Sequence, residues 1–252
     1  MSILLTSFND PEWGFGNYQE LLNDGVTIKV LIRTILTAIL IAVLGLLLAY
    51  PYAYAMTRVS KRTRRYMTLI VLLPFWTSLM ARTFAWYLLE QEGGVIEKAF
   101  SFIGFDDVIL LGTLNGVAVA MVQVMLPFMV LPLYSGMVGI DHRLLDAAQS
   151  LGASRVTAFR SVYLPLTLPA VVSGFTLVFI LSLGFYVTPA VLGSSQQSLL
   201  SQVIAMRVFN LLDFSGASAM GALLLASTVL ILAAVSRIAR PVSGAGKVIK
   251  NV

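Results

Sequence analysis

The 252 residues contain no cysteine, which excludes disulfides and thiolate metal sites. Histidine occurs once, at His142, and cannot assemble a metal cluster by itself. Charge is also scarce. Asp, Glu, Lys and Arg make up 12% of the chain, about half the share usual in soluble domains. No G-x-x-x-x-G-K-[ST] phosphate loop is present. The nearest stretch, SGAGKV at 243–248, lacks the first glycine and has Val248 where Ser or Thr is needed. Nor does any Asp, Glu or His lie well inside an apolar run. That argues against a secondary transporter driven by an ion gradient, which would need such relays.

Apolar sequence fills the space instead. Hydrophobic residues make up 58% of the chain and mean hydropathy is +0.88. Five runs reach the roughly 20 residues needed to cross a bilayer, at about 30–56, 66–89, 113–138, 170–192 and 217–239. The prediction is an all-α polytopic membrane protein, one transmembrane domain over 1–252. The first 29 residues add neither a span nor a signal-peptide pattern.

Charge placement orients these runs. Arg58, Lys61, Arg62, Arg64 and Arg65 follow the first, Arg143, Arg155 and Arg160 follow the third, and Arg237, Arg240, Lys247 and Lys250 close the chain. Twelve of the 17 basic residues thus share three segments with only two acids, Asp141 and Asp146. The other segments hold Asp10, Glu12, Glu20, Asp24, Glu90, Glu92, Glu97, Asp106, Asp107 and Asp213. An excess of Lys and Arg in short loops marks the cytoplasmic side. The N-terminus is therefore expected outside and the C-terminus inside. The net charge of +5 reflects this sorting and gives no ground for nucleic-acid binding.

Proline interrupts four of the five runs, at Pro51, Pro74, Pro127 with Pro132, and Pro189. Each removes a backbone donor and bends a helix. Broken helices in lipid are tolerated where neighbours or a water-filled cavity satisfy the freed groups. Together the prolines favour a bundle around a translocation pathway.

The loop 139–169 is unlike the rest. Asp141 can cap a helix in which Leu144, Ala148 and Leu151 recur at helical spacing. Gly152 stands where a helix end favours positive φ. Ser154 can cap a second helix carrying Val156, Phe159 and Tyr163, which Pro165 is expected to end. Either this hairpin lies on the headgroups through Arg155 and Arg160, or it presents an apolar knob to a soluble partner.

The hairpin resembles the EAA loop of the integral-membrane permeases of ATP-binding-cassette importers. That pattern has an acid, two alanines, a glycine and a later Leu-Pro pair, here Asp146, Ala147, Ala148, Gly152, Leu164 and Pro165. Asp146 replaces the usual Glu, a shorter reach. LLPFWTSLMARTFAW (72–86), LPFMVLPLYSGM (126–137) and LSLGFYVTPAVLG (181–193) are similar to the polyamine-type branch. The resemblance implies the family's five-span core in a bacterial inner membrane; the family's usual first span would precede Met1, so either the start is truncated or misassigned or this is a five-span version. It also implies partners: a second permease, a dimer of ATPases that binds ATP and magnesium, and an extracytoplasmic solute-binding protein. The chain itself is expected to be non-catalytic, without cofactor, in contact with membrane lipid. Putrescine or spermidine is the expected solute; opines, amino-acid derivatives and ferric iron are the alternatives within the branch.

Pathway candidates are the polar or amphipathic groups at depth: Trp76, Thr77, Arg82, Gln123 and Tyr186. For Arg82 the simpler reading is snorkelling, or pairing with a loop acid such as Glu90. For the others, aromatic packing is an equal alternative.

Overall fold

The computed structural model describes residues 6–8, 14, 16–105, 108–141 and 143–239. Among these residues every regular element is helical. His142, the acids Asp10, Glu12, Asp106 and Asp107, the basic residues Arg240, Lys247 and Lys250, and SGAGKV lie outside them.

A short helix, α1 (Gly16–Asn23), precedes the long α2 (Gly25–Arg58). Asp24 caps α2, accepting from the amides of Val26 and Thr27 and from the Thr27 hydroxyl at 2.7 Å. The Thr27 hydroxyl bond, with the Val26 amide next, holds the Asp24 carboxyl below its ordinary value. The second apolar run is not one rod. It divides into α3 (Lys61–Leu72), a 3₁₀ turn Leu73–Trp76 containing Pro74, α4 (Leu79–Glu90) and α5 (Val95–Phe102), with a 95° bend at the break.

Next comes α6 (Leu114–Val138), the central post, with 67% of its most apolar stretch buried. The loop helices are α7 (Arg143–Ser150) and α8 (Arg155–Ala158). A π turn, Phe159–Tyr163, carries α8 straight into α9 (Leu164–Leu183). The short helices α10 (Val187–Leu192) and α11 (Leu200–Met206) lead to α12 (Phe214–Ala239).

Among the described residues four helices are long and apolar enough to cross a membrane: Gly25–Arg58, Leu114–Val138, Arg155–Leu183 and Phe214–Ala234; the bent pair makes a fifth if counted as one span. The fourth apolar run differs from its sequence limits. It starts earlier, continuous with the loop helix, and stops at Leu183 rather than 192. Gly184 ends the helix; the Phe185 carbonyl freed beyond it, and the Pro189 carbonyl, which also keeps its helical bond from the Gly193 amide, both accept from side chains of α11. Ser201 donates to the Phe185 carbonyl at 2.8 Å and Gln202 to that of Pro189 at 3.0 Å.

The core forms where α2, α6 and α9 pack together. Along α6, Met121, Met125, Met129, Leu133 and Met137 recur every fourth residue and are all buried. This is an i±4 ridge of mostly flexible side chains. The buried face of α2 is mostly small by contrast: Ala38, Ala42, Gly45, Ala49 and Ala53, with Ile41 among them and Met56 at its end. A ridge of long side chains seats in a groove of short ones, the packing that draws helices together where lipid supplies no hydrophobic drive. Between α6 and α9 the approach is closer still. A side chain at Gly136 would collide with Ala170, and one at Gly174 would press on Met129.

A leucine at Gly136 should therefore wedge α6 from α9 at a cost of about 1–3 kcal/mol. The same change at Gly221, which faces open space in α12, should be near neutral. Denaturant unfolding of the two variants in detergent, followed by circular dichroism, measures the contrast.

Candidate functional site

The hairpin is built by local hydrogen bonding. Asp141 accepts from the Arg143 amide at 2.9 Å and starts α7. At the other end the Gly152 amide donates to the Gln149 carbonyl and the Ala153 amide to that of Ala148. That pair of bonds is the Schellman closure, and it places Gly152 at φ +92°. Ser154 then caps α8 by accepting from the Thr157 amide at 3.2 Å. Each of these three positions performs the role its residue type suggests.

Pro165 does not. It sits in the first turn of α9, and the helix runs through it. The π turn Phe159–Tyr163 just before it absorbs the missing N–H, so proline is tolerated where a regular helix would break. The apolar stripe also divides differently from its expected course. Leu145, with half-buried Ala148, faces the bundle, whereas Leu144 and Leu151 face away, Leu151 at 89% exposure. In the second arm Val156 is exposed, Phe159 half-buried and Tyr163 fully buried. Asp146, Ala147, Gly152, Leu164 and Pro165 are all exposed. The hairpin thus has an inner face that anchors it and an outer face with an apolar ridge of Leu144, Leu151 and Val156 around small Ala147 and Gly152.

The anchor is aromatic. Tyr163 stacks on Phe159 with ring centroids 5.4 Å apart, and Tyr54 of α2 meets both edge-on, at 5.2 and 5.6 Å. Tyr50 packs edge-on against Phe159 at 6.5 Å, and its hydroxyl bonds that of Thr167 at 3.0 Å. Arg58 lies over the Tyr54 ring at 5.1 Å and donates to its hydroxyl at 2.8 Å. Such ring pairs add about 0.5–1.5 kcal/mol each beyond buried area. The signal for this cluster was present as two i, i+4 aromatic pairs, Tyr50/Tyr54 and Phe159/Tyr163, though only the second lies in the hairpin.

The pathway candidates gather at the two breaks. At the bend, the Pro74 carbonyl accepts from the Thr77 hydroxyl at 2.7 Å and from Arg82 Nη1 at 2.8 Å. Arg82 is therefore not paired with Glu90; it donates to a carbonyl at the break, which also accepts from the Thr77 amide at 3.3 Å. Trp76 stands beside this knot, 74% exposed. Tyr186 lies at the other break, between α9 and α10, also exposed. The two breaks are joined because α4 packs on α10, where the hydroxyls of Thr83 and Thr188 meet, buried, at 3.4 Å. Gln123 stands apart, accepting from Trp86 Nε1 at 3.4 Å in a cleft between α2 and α6.

Glu90 is 3% exposed, and neither of its oxygens has a hydrogen-bond partner among the described residues. It lies against the first turn of α6, whose positive dipole end offsets part of its burial.

The sequence pattern of the family described as binding-protein-dependent transport system inner membrane component matches residues 26–242. The chain belongs to this family. It is a transport component of the inner membrane. It is 29% identical, over 82% of its length and 73% of the relative's, to the spermidine/putrescine transport system permease protein PotB of Salmonella typhimurium strain SL1344. With PotB of Escherichia coli strain K12 the identity is 28%, covering 76% of that protein. Among solved structures, a bacterial alginate ABC transporter in complex with an alginate pentasaccharide-bound periplasmic protein superposes with a TM-score of 0.75. The match covers 96% of this chain and 87% of that one at 18% identity, a likeness of fold.

Replacing Tyr163 by alanine should destabilise the fold by about 3–5 kcal/mol, the range for a buried ring. Leu151→Ala should leave it unchanged within about 0.5 kcal/mol. Thermal unfolding in detergent, read by near-UV circular dichroism, separates anchor from ridge.

Proposed function

We propose that the chain is one permease of a polyamine importer and that its hairpin receives the stroke of an ATPase. The observation that carries this reading is the two-faced hairpin: an apolar ridge turned outward on a base locked to α2 and α9. Exposed leucines at the end of a rigid lever are poorly explained by stability, since Leu151 is 89% exposed and Leu144 47%. They suit the groove of a soluble partner, in which a few buried apolar anchors dominate binding. Ala147 and Gly152 keep the surface between them low, so a partner can approach closely.

The motor lies elsewhere, because no phosphate loop exists in the sequence. ATP and magnesium are assigned to a pair of ATPase subunits, and this chain needs no cofactor of its own. A second permease completes the pathway, and an extracytoplasmic binding protein delivers the solute. The alginate transporter with its periplasmic protein supports that arrangement by fold, and the two PotB relatives support spermidine or putrescine as the solute. The acidic face opposite the hairpin suits a cationic solute by attraction. Within the bundle, the breaks at Pro74 and Tyr186 provide the polar carbonyls and aromatic faces that a solute in transit would meet.

Ala147→Asp or Gly152→Asp puts a charge where the docked surface must be dry. Uptake of labelled putrescine or spermidine by cells carrying the complex should fall to background while the protein still inserts. Wild-type uptake in both variants would refute docking through this hairpin. Uptake of ferric iron or an opine, with none of polyamine, would keep the docking and change the solute.

A further inference from the structure

One groove on the molecule serves neither the hairpin nor the two breaks. It runs along α2 beside the start of α6, encloses about 460 Å³, and is lined by Lys29, Ile32, Arg33, Leu36, Leu40 and Asn115 among others. Its chemistry is graded. Lys29 and Arg33 stand one turn apart on a single helix face, with the Asn115 amide across from them, and the apolar side chains follow toward the middle of the helix. One turn beyond Leu40 a second cleft of about 540 Å³ takes over, lined by Leu44, Leu47, Leu48 and Leu126 with Trp86.

Among the described residues neither cation has a carboxylate partner. The salt bridge among the described residues joins Arg207 to Asp213. Arg33 uses Nη1 to hold the carbonyls of Gln196 at 2.7 Å and Ser198 at 3.3 Å, which fixes the guanidinium at the mouth of the groove. Lys29 is exposed, and its ammonium makes no hydrogen bond among the described residues.

Helix length sets the depth. Lys29 and Arg58 are separated by about 44 Å at about 1.5 Å per residue. That is close to the roughly 40–45 Å of a bilayer including its headgroups. With Arg58 in one headgroup layer, Lys29 and Arg33 lie in the other. Leu36 and Leu40 then sit about 5 and 10 Å deeper than Arg33, in hydrocarbon. These two cations also occupy the face that carries most of the acids, so sorting of basic loops does not account for them.

We propose that this groove binds an anionic phospholipid of the leaflet at the acidic end. The phosphate is held between Lys29, Arg33 and Asn115, and an acyl chain lies along Leu36 and Leu40 toward Leu44. A free phosphate would use the cations but leave the graded apolar floor without purpose. A bound lipid would join α2 and α6 and, through Arg33, stiffen the loop Gln196–Ser198.

Native mass spectrometry of the detergent-purified protein, titrated with phosphatidylglycerol, phosphatidylcholine or glycerol 3-phosphate, tests the site. Phosphatidylglycerol should be retained in preference to phosphatidylcholine, and glycerol 3-phosphate should not be retained. Lys29→Gln should weaken phosphatidylglycerol about fivefold, the effect of one charge at a membrane surface, while Lys29→Arg keeps it. Equal retention by wild type and Lys29→Gln, or equal retention of the two lipids, overturns the proposal. Retention of glycerol 3-phosphate shows a free-anion site and overturns it too. A photoreactive p-benzoylphenylalanine in place of Leu36 gives an independent readout in membranes. A lipid adduct is the expected product; capture of a polypeptide there would show that protein fills the groove.

Discussion

The ring stack of Tyr54, Phe159 and Tyr163 is the joint on which the rest of the structure depends. It lies where the loop helix becomes a membrane helix and ties both to α2. A hairpin attached by a flexible strand would move without moving the bundle. Here α8, the π turn and α9 form one continuous rod, and the stack fixes that rod to the longest helix of the fold. Any force on Leu144 or Leu151 therefore reaches α2 and α9 through packed rings, which deform little.

Interior polar accounting follows the same economy. Two helices are broken inside an apolar bundle, and each break frees carbonyls that lipid cannot satisfy. The structure meets the need with side chains: Thr77 and Arg82 at Pro74 and Ser201 at Phe185. Arg82 is instructive. A cation at depth suggests a counter-ion, yet its Nη1 spends itself on a backbone oxygen, and Glu90 of the same helix is not paired with it. Because α4 and α10 also share the Thr83–Thr188 contact, the two breaks are linked, and a shift at one is felt at the other.

Much of this could be read from residue order. The hairpin's turn was legible because its three devices, the Asp141 cap, the Gly152 closure and the Ser154 cap, act within a few residues of themselves. The helical class and the basic end were legible from apolar runs and from Arg and Lys in the loops. What stayed hidden depends on neighbours far along the chain. Pro165 suggests a helix end, and only the preceding π turn makes it harmless. Leu144 and Leu145 are indistinguishable until the bundle selects one to bury. The carbonyl freed past the stop at Leu183 depends on Ser201, which lies on another helix, and the pairing of Tyr54 with Tyr163 spans more than a hundred residues.

The central claim is that the ridge around Leu151 meets a soluble motor on the cytoplasmic side. Because the chain has no cysteine, a single Leu151→Cys substitution gives a clean probe. Reaction with a membrane-impermeant maleimide is predicted in inverted vesicles stripped of peripheral proteins, but not in intact spheroplasts, and should be blocked when the ATPase is added back. Labelling from the spheroplast exterior, or labelling of inverted vesicles that the ATPase leaves unchanged, would contradict it.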